Sequence, residues 1–214
     1  GIQLAKMVLT NADELKPVNL VRVEAWVSEI VNCLIFIDVE LLRLFYGPSA
    51  DNYLHAHMLN TVIMATEVGI GLGYNKSKLN ELGLATFLHD IGMIKVADIA
   101  QQTVKLTEKE YSEIKNHPVY GEEILSKIKN IPEPVIYVVK EEHERTNGSG
   151  YPRGIKGTEI SEYARIVAIA DVYEALTHDR PYRKKTSPHD AVKELIKNNA
   201  LFDSAILKVF VNKV

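Results

Sequence analysis

The sequence predicts an all-α protein. Apolar residues recur at three- and four-residue steps through almost the whole chain, helix caps punctuate it at intervals, and no useful stretch alternates as a half-buried strand would. The expected architecture is one multi-helix domain over residues 49–214, preceded by a helical extension over residues 1–48.

Each element follows from its own signals. In the extension, Trp26, Ile30, Cys33, Leu34, Ile37, Leu41 and Leu44 mark one face of a long helix from about Val18 to Tyr46. Gly47-Pro48-Ser49 ends it. The next helix is expected from about Asn52 to Leu72, with His57, Thr61, Met64 and Val68 on one stripe. Another starts near Ser77 as N-cap, carries Leu82, Ala85 and His89 on one face, and stops at Gly92. Thr107 and Glu110 form a capping box, and Pro118 suits the first position of the following helix, which leaves His117 at the junction. A helix from Pro132 to about Arg145 places Val139 and His143 one turn apart. After a glycine-rich loop, Ser161 caps a helix with Ala164, Ala168, Asp171 and Ala175 on one stripe. Ser187-Pro188 opens a further helix, and Ala205 to Val211 forms a short last one.

Composition narrows the function classes. With 46% hydrophobic and 25% charged residues among 214, the chain has the proportions of a soluble globular protein. A net charge of -3 argues against a general DNA or RNA binder, although a local basic pocket for a small anion stays open. The single cysteine, Cys33, cannot form an intrachain disulfide and reads as a small core residue, so a reducing, cytoplasmic setting is expected. The most apolar stretch, Ile30 to Ile37, is closed off by Glu29 and Asp38, short of the roughly 20 residues that a membrane span needs. Gly1 in place of Met suggests a segment of a longer protein.

The informative feature is where certain polar residues fall. His57 and His89 are 32 residues apart, Asp90 and His117 27, His117 and His143 26, and His143 and Asp171 28. Each interval is about one helix plus its connection, so five segments each deliver one or two polar groups. Four of these groups lie on the apolar stripe of their helix or at its end. Burying an imidazole or carboxylate alone is costly, and several that converge commonly share a metal. Six donors are too many for one tetrahedral zinc and suit two six-coordinate ions bridged by a carboxylate and a water. Mixed imidazole and carboxylate ligation favours Fe or Mn, with Zn or Ni as further candidates, over Mg or Ca. Two such ions about 3.5–4 Å apart make a bridging hydroxide and hold both oxygens of an in-line phosphoryl displacement. The chemistry implied is hydrolysis of a phosphoester. His178 and His189 read as hydrogen-bonded or surface residues, and His55, two residues from His57, points to a different helix face, so all three stand outside the set.

Leu88-His89-Asp90-Ile91-Gly92 resembles the signature of the HD superfamily of metal-dependent phosphohydrolases. The segment His143 to Pro152, with Gly150-Tyr151-Pro152, is similar to the one that names the HD-GYP family, and His117-Pro118, Ala170-Asp171, Arg180-Pro181-Tyr182-Arg183 and Phe202-Asp203 follow in family order. The resemblance covers about residues 50–214. It implies an HD-type domain and a bacterial signalling phosphodiesterase that hydrolyses cyclic di-GMP to pGpG and onward to GMP. It implies metal ligation by His57, His89, Asp90, His117, His143 and Asp171, with Asp90 bridging the ions; Glu142, a departure from the family pattern, is expected to replace an imidazole as a further ligand. Gly150, Tyr151, Pro152, Arg180 and Arg183 would line the dinucleotide site, and Arg180 would act with His89 and Asp90 in catalysis. Partners compatible with this family are a homodimer mate, an upstream sensor or receiver domain, and a diguanylate cyclase.

The chain departs from the family at three informative places. Met93 stands where a lysine is usual, Glu142-His143 where two adjacent histidines are usual, and Tyr53 where three-metal members carry a glutamate. Two metals are therefore expected, not three. Met93 and Glu142 also motivate an alternative: a weakly active or inactive relative that senses cyclic di-GMP or docks a protein. A third reading is an HD phosphohydrolase for another nucleotide.

Overall fold

The computed structural model describes residues 1–14, 18–36, 53–100, 102, 104, 106–178 and 185–213, and all regular elements among them are helical. In chain order these are α1 (Ile2–Asp13), α2 (Leu20–Phe36), α3 (Tyr53–Gly71), α4 (Lys76–Leu88), a 3-10 helix (Ile91–Val96), α5 (Ala97–Ala100), α6 (Glu108–Ile114), α7 (His117–Leu125) and α8 (Glu133–Glu141). A 3-10 turn (Gly157–Glu159), α9 (Glu162–Thr177), α10 (Pro188–Lys197), a 3-10 turn (Asn199–Leu201) and α11 (Ser204–Val211) complete the chain. None of these helices is long and apolar enough to cross a membrane.

Helices α3 and α9 lie at the centre and are buried on nearly every side, which is why small and apolar residues run all round them. Helix α4 packs along α3, and α8 and α2 pack against α4. Helix α10 is a surface helix that buries only Ala191 and Leu195, one turn apart. The N-terminal extension belongs to the same core: Ala5, Val8 and Leu9 of α1 and Val23, Val27 and Val31 of α2 cluster with Met58, Leu59 and Leu82.

Several boundaries differ from the sequence expectation. The part of the long helix expected beyond Phe36, with Ile37, Leu41, Leu44 and Gly47, lies outside the described residues. Its buried stripe is Val23, Val27, Ile30, Val31 and Leu34, rotated from the expected face because Val27 packs directly onto Gly83 of α4. Trp26 and Cys33 are left half-buried at the edge, so Cys33 is not a core residue. Helix α4 is capped by Asn75, whose Oδ1 accepts a hydrogen bond from the Lys78 amide at 3.0 Å, and not by Ser77. Helix α8 ends at Glu141, four residues before the expected Arg145, so Glu142 and His143 lie in the turn that leaves it. The Thr107–Glu110 capping box and Ser187 as N-cap are as expected, while α7 starts at His117, one residue before the expected Pro118, with Asn116 as N-cap.

Helix α4 ends at Leu88 rather than Gly92, and the chain tightens into the 3-10 helix there. A Cβ at Gly92 would collide with the His117 carbonyl oxygen and the Gly121 amide nitrogen, so only glycine lets this turn lie against the start of α7. The contact sets the distance between two of the polar side chains singled out by the sequence, Asp90 and His117. Gly92→Ala is expected to destabilise the fold by about 3 kcal/mol, the upper end for overpacking against immobile atoms. Urea unfolding of the metal-free protein checks this, and a change under about 0.5 kcal/mol would contradict the close packing.

Candidate metal centre

Three buried imidazoles are oriented by their outer nitrogens. His57 Nδ1 donates to Glu174 Oε2 at 2.6 Å, His89 Nδ1 to the Thr86 carbonyl at 2.6 Å, and His117 Nδ1 to the Ile114 carbonyl at 2.8 Å. With Nδ1 committed as donor, Nε2 is the nitrogen that each ring turns towards a common centre, and the one left to ligate once deprotonated. Thr86 and Ile114 precede their histidines by three residues, so the last turns of α4 and α6 supply the anchors from within the same segment. The third anchor comes from α9, one turn beyond Asp171.

The carboxylates fill the space between the rings. Asp90 Oδ2 lies 3.4 Å from His57 Nε2 and 3.5 Å from His89 Nε2, while its Oδ1 lies 3.4 Å from His117 Nε2. Asp171 Oδ1 is 3.3 Å from His57 Nε2. Glu142 Oε2 is 3.6 Å from His89 Nε2, and Oε1 is 3.5 Å from His117 Nε2 and 3.9 Å from His143 Nε2. Donor atoms from Asp90, His117, Glu142 and His143 all lie within 4.8 Å of one another, as do those of His57, His89 and Asp171.

The residues present fit metal ions. Nε2 of His89, Nε2 of His117 and both oxygens of Glu142 are buried with no hydrogen-bond partner. Leaving such groups unsatisfied costs about 1–3 kcal/mol each, more for charged ones, and cations at the centre would satisfy all four together. The electrostatics point the same way. Burial alone would raise the Asp90 carboxyl, but His89, His57 and His117 outweigh it and hold it well below the usual carboxylate range. Asp171 is likewise lowered against the burial effect by His57, His143 and His89. Burial would lower His117, yet Glu142 and Asp90 raise it to about 9, whereas burial dominates at His143 and takes it down to about 4.

One side of the cluster is open. The side chains of Asp90 and Asp171 are 12% exposed and that of His143 15%, against 2% or less for His57, His89, His117 and Glu142. The Tyr151 ring stacks on His143 at this opening, with centroids 4.7 Å apart and planes 22° from parallel. Burial, then the charges of Glu142, Asp171 and Asp90, raise the Tyr151 hydroxyl, so it stays a protonated donor. Gly150 lets the loop pass against the backbone of residues 143–145, where any Cβ would collide with His143 O and Arg145 N. The Tyr151 amide donates to the His143 carbonyl at 3.1 Å and Pro152 is exposed beyond it.

All seven residues expected from sequence to ligate metal converge here: His57, His89, Asp90, His117, Glu142, His143 and Asp171. Gly150 and Tyr151 border the opening. Arg180 and Arg183 lie outside the described residues. Sequence reasoning missed Glu174, which orients His57, and Lys115, whose ammonium lies 5.4 Å from the Tyr151 ring centroid. Glu174 sits three residues after Asp171, a helical spacing that would have placed it on the same face. Lys95, two residues beyond Met93, has its Nζ paired with Asp13 Oδ1 of α1 at 3.1 Å.

Comparison with known proteins agrees with this geometry. A family profile described as HD domain matches residues 49–206. A cyclic di-GMP phosphodiesterase of Pseudomonas aeruginosa is 34% identical over 175 residues, which are 81% of this chain and 42% of that protein. A 3'3'-cGAMP-specific phosphodiesterase of Vibrio cholerae is 38% identical over 157 residues, 73% of this chain and 36% of that protein. The chain thus spans less than half the length of these relatives. Among solved structures, an HDG"Y"P protein from Bdellovibrio bacteriovorus shares the fold with a TM-score of 0.80 at 18% identity, covering 99% of this chain and 68% of that one.

Two outcomes follow for metal binding, each read by titration with Mn2+. His117 must be neutral to ligate, and its raised value of about 9 means that at pH 7 it carries a proton which the metal must displace. Affinity is therefore expected to rise about tenfold per pH unit towards pH 9 and then level off, with proton uptake by the buffer at pH 7. Glu174→Gln is expected to weaken binding about tenfold by removing the charge from the bond that orients the His57 ring, and Glu174→Ala, which removes the bond, by up to about 100-fold. Affinity flat from pH 6.5 to 8.5, or unchanged in Glu174→Gln, would contradict these roles.

Proposed function

The chain belongs to the HD-domain family, and from that premise we propose that it is a metal-dependent phosphodiesterase opening cyclic di-GMP to linear pGpG and then to GMP. The observation that carries this reading is the pair of donor groups joined at Asp90, whose two oxygens face different imidazoles. Two ions, iron or manganese ahead of zinc or nickel, would be held by His57, His89, Asp90, His117, Glu142, His143 and Asp171. When bound, they supply the Lewis acidity that generates a nucleophile from water and draws charge off the phosphoryl oxygens.

The chain's own groups do the rest. Asp90 holds the two donor groups in register, and the Nδ1 anchors keep the imidazole lone pairs inward. Tyr151, a protonated phenol stacked on His143, donates a hydrogen bond to a phosphoryl oxygen entering by the open side, and Gly150 and Pro152 shape that entry. Arg180 and Arg183 supply guanidinium groups for bidentate contact with the diester and for the charge that develops on it. Lys115 adds positive charge beside Tyr151. A cytoplasmic setting, a homodimer mate, an upstream sensor or receiver domain and a diguanylate cyclase partner belong to the same proposal.

A second reading has a specific observation behind it. Met93 brings no ammonium where the family has a lysine, and Lys95 Nζ pairs with Asp13 Oδ1 at 3.1 Å. That favours a slow enzyme or a sensor that binds the nucleotide without turning it over. Anaerobic incubation of Fe- or Mn-loaded protein with cyclic di-GMP, and in parallel with 3'3'-cGAMP, followed by chromatography, decides between them. We expect pGpG and GMP from cyclic di-GMP, and none in Asp90→Ala. Turnover retained in Asp90→Ala would overturn the site. Tight binding without product, restored to turnover by Met93→Lys, would establish the sensor reading instead.

A further inference from the structure

We propose that Glu142 is a second bridging carboxylate, so that Asp90 and Glu142 together join the two ions. This rests on the two-metal reading above and deepens it. Glu142 is fully buried, and its backbone is fixed from both sides: its amide donates to the Val138 carbonyl at 2.9 Å and its carbonyl accepts from Arg145 Nη1 at 2.9 Å. The side chain therefore has a rigid base at the point where the chain leaves α8.

Its two oxygens diverge. Oε1 approaches His117 Nε2 at 3.5 Å and His143 Nε2 at 3.9 Å, whereas Oε2 approaches His89 Nε2 at 3.6 Å. Asp90 shows the same division, with Oδ1 towards His117 and Oδ2 towards His57 and His89. Two donors each about 2.1 Å from one ion stand roughly 3.0–3.5 Å apart when adjacent in its coordination sphere. The separations from Glu142 match that spacing or slightly exceed it on both sides. Neither oxygen has a hydrogen-bond partner, and the imidazoles that face them lie 3.5–3.9 Å away, which leaves room for a cation to satisfy the buried carboxylate.

The chemistry of the donor explains why the substitution matters. A carboxylate offers two oxygens and can span two cations, while a histidine, the usual family residue here, offers one nitrogen towards the centre and serves one ion. Glu142 also changes the charge. Three carboxylates against two divalent ions leave a net charge of +1 at the centre, compared with +2 for a histidine at this position. The lower charge stabilises the more oxidised state of an iron pair and lowers its reduction potential.

The test needs metal alone and no nucleotide. Wild type, Glu142→Gln and Glu142→His are loaded with Mn2+, counted by elemental analysis and examined by electron paramagnetic resonance, with circular dichroism of the metal-free proteins as the folding check. We expect two coupled ions per chain in wild type. Glu142→Gln should weaken both ions by at least about tenfold, and Glu142→His should keep two ions with altered coupling. Iron-loaded Glu142→His should show a higher reduction potential than wild type. A loss confined to one ion in Glu142→Gln, or coupling in Glu142→His identical to wild type, overturns the bridge. One ion per chain in wild type would overturn the two-metal reading itself. Two coupled ions without cyclic di-GMP hydrolysis would remove the proposed activity and leave the bridge standing.

Discussion

The structure is organised around a buried set of charges that do not balance without a cation. Four imidazoles and three carboxylates meet where α3, α4, α7, α8 and α9 converge, and most of their donor atoms are shielded from water. Each helix must therefore end, or turn its polar residue inward, at one common depth. The imidazole–carboxylate attractions offset part of the cost of burial, as the lowered Asp90 and Asp171 and the raised His117 record. They do not satisfy Glu142 or the inward nitrogens of His89 and His117. The fold thus presents a cage whose remaining stabilisation is reserved for metal, and metal binding and fold stability are linked through it.

The same short segment that delivers Glu142 also secures the opening. Glu141 and Glu144 flank it in sequence, are buried, and point elsewhere. Glu144 Oε1 accepts from the amides of Arg153 and Gly154 at 2.7 and 3.1 Å, while Glu141 accepts from the Ser161 amide at 2.8 Å and from Arg153 Nη2 at 2.7 Å. Three glutamates within four residues are thus divided between the centre and the loop that closes over it. The division depends on α8 stopping at Glu141, because a continued helix would carry residues 142 and 144 to other faces. The early helix end is what lets one segment serve both tasks.

Much of the site was legible in the sequence because buried polar residues on apolar stripes are expensive and therefore conspicuous. His57, His89, Asp171 and the His117-Pro118 junction stood out on that ground. Glu174 did not, since a glutamate near the end of a helix ordinarily reads as solvated, and only the 2.6 Å contact with His57 reveals its role. Caps were readable where the side chain acts within its own turn, as at Thr107 and Ser187. The face of α2 was not readable, because it is set by a close approach to Gly83 on another helix. Local rules found what is local, and contacts between distant segments needed the fold.

Under the proposed function, electrostatics at the opening would tie nucleotide binding to metal loading. Without ions, Asp90, Asp171 and Glu142 confront an incoming diester with negative charge that His117 only partly offsets. Two divalent ions reverse the sign at the same place, and a change of several charges within a few ångströms in a partly water-excluded site outweighs any single surface cation. Lys115, held over the rings of Tyr111 and Tyr151 with its ammonium 4.7 and 5.4 Å from their centroids, then acts in concert with the ions instead of replacing them. Under the proposed function, the second carboxylate bridge moderates this reversal. It gives up some attraction for the phosphate and gains a more rigid ion pair, a balance consistent with a chain that also lacks the usual lysine at Met93.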